Sequence, residues 1–230
     1  MSSRVIAIGD VHGCAKTLRS LIGAIVPEPD DTIVMLGDCV DRGPDSRQVI
    51  DELLALQEKC QVVPLLGNHE EMMLNFIDGK PQPDNWLEVG GRSTLQSYSS
   101  KLDLKEITPE HIDYIRNWGD YFETSSHFFA HANYEPERQL AEQHWQTMRW
   151  QSLKFGIPAP HLSGKTAVVG HTSLKDGETL DVGHLVCIDT YCWGGGWLTA
   201  LDTTTGQVWQ VDREGRPRAN VESIQPSKPA

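Results

Sequence analysis

The fold is decided by the stretch Met35-Leu36-Gly37-Asp38-Cys39-Val40-Asp41-Arg42-Gly43-Pro44. An apolar run over residues 33–36 predicts a buried strand, and it stops at a glycine that is followed by two carboxylates and an arginine. Ionisable side chains placed directly after a buried strand indicate a functional site rather than a core.

Two similar units flank this stretch along the chain. One precedes it, Ile6-Ala7-Ile8-Gly9-Asp10-Val11-His12-Gly13, and one follows it, Val62-Val63-Pro64-Leu65-Leu66-Gly67-Asn68-His69-Glu70. Strands of open α/β sheets present functional residues at their carboxyl ends, so three such ends predict one shared crevice. Carboxylate, imidazole and amide donors suit Mn²⁺, Fe or Zn²⁺ better than Ca²⁺ or a sulfur-binding ion.

The composition is that of an ordinary soluble globular protein. The 230 residues, 39% hydrophobic and 23% charged, suit one large domain with a substantial core. A net charge of -12 argues against nonspecific binding to nucleic acid or to an anionic membrane, and no apolar run approaches the roughly 20 residues of a membrane span. Because the start of the chain has no signal-peptide pattern and the five cysteines are scattered, we expect a cytoplasmic protein with reduced thiols.

Helical patterns alternate with strands in the first third of the chain. Apolar spacing predicts a helix over residues 18–25, and a second helix is expected to begin with Asp45 or Ser46 as its cap. A strand over residues 61–66 and a third helix over residues 70–76 follow. This β-α-β-α-β order with short connections predicts a parallel sheet with right-handed crossovers.

The second half of the chain is expected to contain several short strands, and two of them run into His131 and His171. A helix is predicted before them over residues 109–118. We expect residues 1–212 to form a single domain and residues 213–230, rich in Pro, Arg, Glu and Ser, to form an exposed tail. The predicted strands cover residues 121–124, 127–130, 166–169, 185–188, 197–201 and 207–211.

Each candidate residue has a plainer explanation when it is taken alone. A single Asp or Asn after Gly commonly caps a helix, as Asp10, Asp38 and Asn68 would then do. A single His after a strand, such as His131, is more often a hydrogen-bonded structural residue. The joint pattern favours a site, because five strand ends each offer a ligand-type side chain. Cys39 is expected to be a small buried hydrophobe, with a redox role as the alternative.

Three segments resemble the signature motifs of the phosphoprotein phosphatase (PPP) family of metallophosphoesterases. They are Gly9-Asp10-Val11-His12-Gly13, Gly37-Asp38-Cys39-Val40-Asp41-Arg42-Gly43 and Gly67-Asn68-His69-Glu70, which match GDxHG, GDxxDRG and GNHE in order. His131 and His171 look like the two later ligand histidines of that family.

This resemblance implies both a fold and a metal centre. The fold is the four-layer α/β/β/α sandwich of metallophosphoesterases, with two mixed β-sheets flanked by helices. The match covers residues 4–202, and the segment with Trp86 and Gly90-Gly91 is similar to that of the small bacterial and phage serine/threonine protein phosphatases. Two divalent metal ions are implied, with Mn²⁺ preferred and Fe or Zn²⁺ as alternatives. Their implied ligands are Asp10, His12, Asp38 as the bridge, Asn68, His131 and His171.

The resemblance also implies how such a site works. A water or hydroxide shared by the two cations attacks the phosphoryl group in line, without a phosphoenzyme. His69 is implied as the acid that protonates the leaving group, with Asp41 orienting it. Arg42 and Arg149 are implied as contacts to phosphate oxygens.

Three positions depart from the family pattern. Leu66 stands where many members carry an arginine before GNHE, so one phosphate contact is missing or is supplied by Arg92. Tyr191 replaces a common glycine and is expected either to line the substrate mouth or to pack. Asn133 stands where Gly or Asp is usual, which leaves the ligands intact and alters their surroundings.

These residues favour a metal-dependent phosphomonoesterase that acts on phosphoserine and phosphothreonine in a phosphoprotein or phosphopeptide, with phosphotyrosine and aryl phosphates as additional substrates. The alternative enzyme is a symmetrical dinucleoside-tetraphosphate hydrolase, and the combination of Asp41-Arg42-Gly43 with His69-Glu70 favours the phosphatase. A third hypothesis is a non-catalytic phosphate-binding protein, which would be expected to lack a ligand or the acid. We expect a monomer that binds neither nucleic acid nor a membrane.

Overall fold

Two mixed β-sheets form the centre of the molecule. The computed structural model of the protein describes residues 3–81, 84–219 and 221–224. The strands of these residues are β1 (Val5–Ile8), β2 (Thr32–Met35), β3 (Gln61–Pro64), β4 (Tyr121–Glu123), β5 (His127–Ala130), β6 (Thr166–Val169), β7 (Leu180–Asp181), β8 (Leu185–Cys187), β9 (Leu198–Asp202) and β10 (Val208–Val211).

The order of the strands makes both sheets partly parallel. It is β10-β9-β1-β2-β3 in the first sheet and β4-β5-β6-β8-β7 in the second. Strands β1, β2 and β3 are parallel, and β9 and β10 add an antiparallel pair beside β1. Strands β5, β6 and β8 are parallel, between antiparallel edge strands β4 and β7. The parallel strands of each sheet therefore present their carboxyl ends together.

Helices flank this pair of sheets, which confirms the predicted α/β sandwich. A π-helical turn, Leu87–Gly91, leads directly into the fourth helix. No helix among the described residues is both long and apolar enough to cross a bilayer. The α-helices are α1 (Ala15–Ile25), α2 (Ser46–Gln57), α3 (Asn68–Ile77), α4 (Arg92–Tyr98), α5 (Pro109–Arg116) and α6 (Trp145–Trp150).

Strand β1 illustrates how both faces of the first sheet are buried. Ile6 and Ile8 belong to the core under the helices, where they share a cluster with Leu18 of α1. Ala7 belongs to a second cluster, which we call the inter-sheet layer because it also contains Phe129 of the second sheet. Successive residues of a strand face opposite sides, and since both sides are covered here the strand is apolar throughout.

The outer face of the second sheet is covered by short helical turns. Phe128 and Leu185 pack there in a cluster with Leu140 and Leu153. Those two leucines lie in single 3₁₀ turns, Leu140–Glu142 and Leu153–Phe155. The fourth layer of the sandwich is consequently thinner than the helical layer over the first sheet.

The ends of the helices exclude helix capping as the explanation for the polar residues that follow the strands. Neither Asp10 nor Asp38 caps a helix, and Asn68 is the first residue of α3 rather than its cap. Asp45 does precede α2 as expected, but its side chain accepts no capping hydrogen bond. The residues that cap α1, α2 and α3 are Cys14, Asp45 and Gly67.

The described part of the C-terminal segment contacts the rest of the fold at a few places. Val221 and Ile224 lie against the inter-sheet layer, and the Ile224 N–H donates to the Gly206 carbonyl at 2.8 Å. The Arg218 guanidinium donates to the Gln210 side chain at 2.8 Å. Most of the described residues between 213 and 224 are nevertheless exposed, so the exposed tail stays a prediction. Residues 220 and 225–230 lie outside the described residues.

Candidate active site

Five loops bring the six predicted ligands together at one end of the two sheets. Each loop follows the carboxyl end of a parallel strand, as the sequence indicated. Five of the six side chains are buried and His171 is half-buried. The loops after β1, β2 and β3 carry Asp10, His12, Asp38 and Asn68, and the loops after β5 and β6 carry His131 and His171.

One group of donor atoms converges around Asn68. Its Oδ1 lies 3.1 Å from His131 Nε2 and 2.9 Å from His171 Nδ1, and the two nitrogens are 3.1 Å apart. Asp38 Oδ1 lies 3.4 Å from the same His131 nitrogen. Adjacent ligands of a cation with bonds of about 2.0–2.2 Å are separated by roughly 3 Å, so this spacing fits a single divalent ion.

A second group of donors shares the Asp38 carboxylate with the first. Asp38 Oδ2 lies 3.5 Å from His12 Nε2 and 4.0 Å from His69 Nε2. Asp38, His12 and His69 therefore form one candidate metal cluster, while Asp38 also belongs to the cluster with His131 and His171. Asp38 is thus the residue placed to bridge two ions.

The three predicted histidine ligands turn one ring nitrogen inward and the other toward the backbone. In each ring the outer nitrogen is 2.7–3.0 Å from a carbonyl oxygen, to which its N–H donates. The inner nitrogen then carries the lone pair, which is the tautomer that a metal ligand requires. Burial lowers the pKa of His12 well below its ordinary value and that of His171 to about 4, so both are neutral. The accepting carbonyls are those of Val40 for His12, Leu36 for His131 and Trp150 for His171.

Asp10 lies beside these donors, and Asp189 lies close to it. Both carboxylate oxygens of Asp10 accept the His171 backbone N–H at 3.1 Å. Burial and the charge of Asp189 raise the Asp10 pKa. Asp189 itself accepts from the Ser173 hydroxyl at 2.7 Å and from the Tyr191 N–H at 3.0 Å. Two buried carboxylates this close favour a cation between or beside them. The position of Asp189 just after the carboxyl end of β8 is the sequence signal that could have indicated it.

Glu70 is a second residue whose role the sequence did not reveal. Its buried carboxylate accepts the backbone N–H groups of Asp38, Cys39 and Val40 at 2.7–3.1 Å. It also accepts the Gly67 N–H at 2.9 Å. Glu70 therefore ties the loop that carries Asp38 to the start of α3, which carries Asn68.

His69 and Asp41 form a buried hydrogen-bonded dyad. His69 Nδ1 lies 2.7 Å from Asp41 Oδ2. Burial lowers the His69 pKa, but the charge of Asp38 and the bond to Asp41 outweigh burial, so the pKa is raised overall. Asp41 also accepts the Trp86 Nε1–H at 2.9 Å and the Thr94 hydroxyl at 2.7 Å. The Asp41 carboxylate is fixed from three sides.

Arg42 is exposed at the mouth of the site. Its Nη1 donates to His12 Nε2 at 2.6 Å, and its guanidinium lies 5.0 Å from the centre of the Trp193 ring. No carboxylate of the described residues forms an ion pair with it. Its fork of donors is available to an anion at this mouth.

The surroundings of Arg149 differ from those expected for a residue that contacts phosphate. Its Nε donates to Asp120 at 2.6 Å and its Nη1 donates to Glu71 at 3.1 Å. The guanidinium is thus neutralised by two carboxylates. A contact to phosphate from Arg149 would require its release from at least one of them.

The three departures from the family pattern occupy distinct environments. Leu66 is buried in the core under the helices, so this apolar side chain offers no contact to a phosphate. Tyr191 packs against Trp193 with ring centres 5.3 Å apart, which agrees with the packing role. Asn133 is buried, and its Nδ2 has no hydrogen-bond partner among the described residues. Burial raises the pKa of the Cys39 thiol well above its ordinary value, which argues against the redox alternative.

The donor set as a whole fits divalent cations. Carboxylate oxygens, an amide oxygen and neutral imidazole nitrogens point into one buried space, and the outer face of each imidazole is already occupied. This is the pattern of a prepared metal site, in which second partners orient the ligands.

Comparison with known proteins agrees with this geometry. Residues 3–193 match the family described as Calcineurin-like phosphoesterase. The chain belongs to this family. A fold of this kind, with its converging His and Asp side chains, implies that this metallophosphoesterase works with divalent metal ions.

Relatives that are similar to this chain in sequence carry different activities in their names. Serine/threonine-protein phosphatase 1 of Salmonella typhimurium is 29% identical over 84% of this chain and 88% of its own length. A symmetrical bis(5'-nucleosyl)-tetraphosphatase of Janthinobacterium sp. is also 29% identical, over 59% of this chain and 46% of its own length. An asymmetrical one of Anoxybacillus flavithermus is 27% identical over 84% and 88%. Sequence identity alone does not show which of these substrate classes this chain uses.

Solved structures show the same fold at low identity. A candidate diadenosine tetraphosphatase superposes with a TM-score of 0.71 at 22% identity, over 96% of both chains. The cold-active protein-tyrosine phosphatase of a Shewanella species superposes with a TM-score of 0.66 at 18% identity, over 95% of this chain and 80% of that chain.

Proposed function

We propose that this metallophosphoesterase is a phosphomonoesterase acting on phosphoserine and phosphothreonine, with phosphotyrosine and aryl phosphates as additional substrates. The observation that carries the proposal is the His69–Asp41 dyad beside the donor cluster. The alkoxide of serine or threonine is a poor leaving group, so its release benefits from a positioned proton donor. Similarity to a serine/threonine phosphatase over 84% of this chain and 88% of that protein supports the same substrate class.

In this proposal the six strand-end residues hold two cations. Asn68, His131 and His171 would bind one ion together with Asp38, and Asp10 and His12 would bind the other. Bound divalent ions, expected to be Mn²⁺ with Fe or Zn²⁺ as alternatives, would supply a water of lowered pKa and neutralise phosphoryl charge. Asn68 contributes an oxygen without adding negative charge to a site that must accept an anion.

The chain's own residues then orient the phosphoryl group and move a proton. Arg42 would donate to two phosphoryl oxygens. As water attacks phosphorus in line, the bond to the leaving oxygen breaks, and that oxygen takes the proton from His69 Nε2. Asp41 holds the Nδ1–H of His69, which keeps Nε2 turned toward the pocket. His69 then regains a proton from solvent.

A dinucleoside-tetraphosphate hydrolase is the second candidate, because two of the relatives compared carry that name at similar identity. The two candidates differ in the group that leaves. An anhydride releases a phosphate, which needs little help from an acid, whereas an ester releases an alkoxide.

The test is a rate comparison with the Mn²⁺-loaded protein and its His69→Asn variant. We expect the wild-type protein to prefer a phosphoserine peptide to diadenosine tetraphosphate in kcat/KM. Loss of His69 should lower kcat about 10²–10⁴-fold on the peptide, and less on 4-nitrophenyl phosphate, whose leaving group is more acidic. Metal content should be unchanged in the variant.

Three outcomes would contradict the proposal. A clear preference for the dinucleotide would favour the second candidate. Absence of turnover in a sample with both cations bound would favour the non-catalytic phosphate-binding protein. An empty metal site in His69→Asn would mean that His69 is a ligand, as its place in one of the two donor clusters allows.

A further inference from the structure

A shallow cavity of about 430 Å³ opens beside the candidate active site, between the loop after β2 and the start of α4. Arg42, Arg92, Ser93 and Glu88 are among the residues that line it. Because Arg42 also donates to His12 Nε2 at 2.6 Å, this one side chain connects the cavity with the donor cluster. We call this space the side cavity.

The two arginines of the side cavity differ from most others in the protein. Neither forms an ion pair within the part of the chain that the structure describes, whereas the other described arginines, except Arg213, each pair with Asp or Glu. Glu88 lines the same space but pairs with neither arginine. In a chain with a net charge of -12, two guanidinium groups at one cavity without an acidic partner among the described residues indicate an anionic ligand.

We propose that the side cavity binds a second anionic group of the substrate, a phosphate or carboxylate that neighbours the phosphoryl group being hydrolysed. Arg42 would contact the reacting phosphoryl group and Arg92 would contact the second anion. Glu88 limits the strength of this contact by its own charge. The inference rests on the proposed hydrolase function and adds selectivity to it: substrates with two adjacent anions are preferred to substrates with one.

The experiment measures KM for substrates that differ in the second anion alone. One pair is a phosphoserine peptide with Asp or with Asn next to the phosphoserine, and 4-nitrophenyl phosphate serves as the single-anion reference. We expect Arg92→Gln to raise KM about tenfold for the Asp peptide and to leave 4-nitrophenyl phosphate within twofold. Glu88→Gln should have the opposite effect on KM and lower it for the Asp peptide. Arg213→Gln removes an exposed arginine outside the side cavity that forms no ion pair with the described residues, and it should change neither KM.

A parallel KM measurement with diadenosine tetraphosphate identifies the source of the second anion. An Arg92→Gln effect confined to the peptide assigns a carboxylate, and one confined to the dinucleotide assigns a phosphate. Equal effects of Arg92→Gln on all substrates, or no effect on any, would overturn the proposal. If the wild-type protein turns over none of these substrates, the proposed function fails. Calorimetric titration with the two peptides then tests the side cavity by itself, because equal affinity for the Asp and Asn peptides would overturn its assignment.

Discussion

At the scale of a single residue, the site depends most on Asp38. One of its oxygens faces His131 Nε2 and the other faces His12 Nε2, at 3.4 and 3.5 Å. Its φ of 49° lies in the left-handed region, which costs a non-glycine residue about 1 kcal/mol or more. The bond from its N–H to Glu70 helps to hold it there. The residue is strained into the position from which it reaches both donor groups.

We therefore expect Asp38→Asn to release both cations. The amide retains one oxygen but loses the negative charge and presents an NH₂ group to an imidazole lone pair. Metal analysis after dialysis should show weaker Mn²⁺ binding by more than the roughly 10–100-fold that loss of an outer partner costs. Asp51→Asn, at an exposed carboxylate of α2 that pairs with Arg47, is the matched control. A variant that keeps one tightly bound ion would show that Asp38 serves a single position.

The sequence predicted the convergence of the six ligand-type residues, since each follows a strand and parallel strands end on one side. It did not predict how Arg149 is used. Its two carboxylate partners, Glu71 and Asp120, come from distant parts of the chain, and only packing of α6 brings them together. Asp189 follows the predicted strand over residues 185–188, but no histidine or second carboxylate stands beside it in the sequence to indicate a site.

At the scale of the element, the π-helical turn Leu87–Gly91 and α4 hold the turn at Asp41 and Arg42. Both of those residues have positive φ, 72° and 66°. The Arg42 N–H donates to the Gly90 carbonyl at 3.3 Å, and a Cβ on Gly90 would lie 2.8 Å from the Arg42 nitrogen. A Cβ on Gly91 would lie 2.3 Å from the Trp86 ring. The two glycines let this segment approach closely enough for Trp86 to reach Asp41.

Replacing Trp86 by Phe tests whether this segment positions the dyad. The variant keeps a buried ring but removes the N–H that donates to Asp41. We expect kcat to fall about tenfold for an alkyl phosphate and less for 4-nitrophenyl phosphate, because a misplaced acid matters most for a poor leaving group. Mn²⁺ content should be unchanged.

A second variant separates positioning from general damage to the fold. Thr94→Ser keeps the hydroxyl that donates to Asp41, and we expect it to be nearly as active as the wild-type protein, whereas Thr94→Val should resemble Trp86→Phe. Equal losses of kcat on both substrates in Trp86→Phe would contradict a role of Trp86 through the acid His69.

The sequence does not define the secondary structure of this segment well, because two consecutive glycines interrupt the helical pattern on which a prediction depends.

At the scale of the whole molecule, the buried carboxylate of Asp31 joins the start of β1 to the end of α1. Arg4 Nε donates to Asp31 at 3.1 Å, while other atoms of the same guanidinium donate to the carbonyls of Ile25 and Val26. The hydrogen bond from Arg4 lowers the Asp31 pKa below its ordinary value, against the opposing effect of burial.

This pKa shift predicts how stability depends on pH. A carboxyl group whose pKa is lower in the folded state stabilises the fold above its unfolded pKa of about 3.9, and that stabilisation is lost as the pH falls through the folded value. At pH 7, Asp31→Asn should reduce the free energy of unfolding by about 1–3 kcal/mol, and urea unfolding should show the difference shrinking below pH 4. Glu52→Gln, at the exposed pair with Arg19, should have a smaller effect. A difference that stays constant down to pH 2 would exclude the charge of Asp31 as its cause.

The sandwich itself could be predicted from the strand-end pattern together with the family resemblance, but the path of the C-terminal segment could not. Val221 and Ile224 are two apolar residues in a polar stretch, and composition does not reveal that they reach the inter-sheet layer. Short segments of this kind are placed by the surface that the rest of the fold offers them.

The six donors are divided between the two sheets, four on the first and two on the second, which has a consequence for biogenesis. Neither half of the polypeptide contains all six donors, and the last of them, His171, is made when about three quarters of the chain is complete. If these six donors bind the cations as proposed, we expect ion uptake to be a late step of maturation, after both halves of the chain have docked.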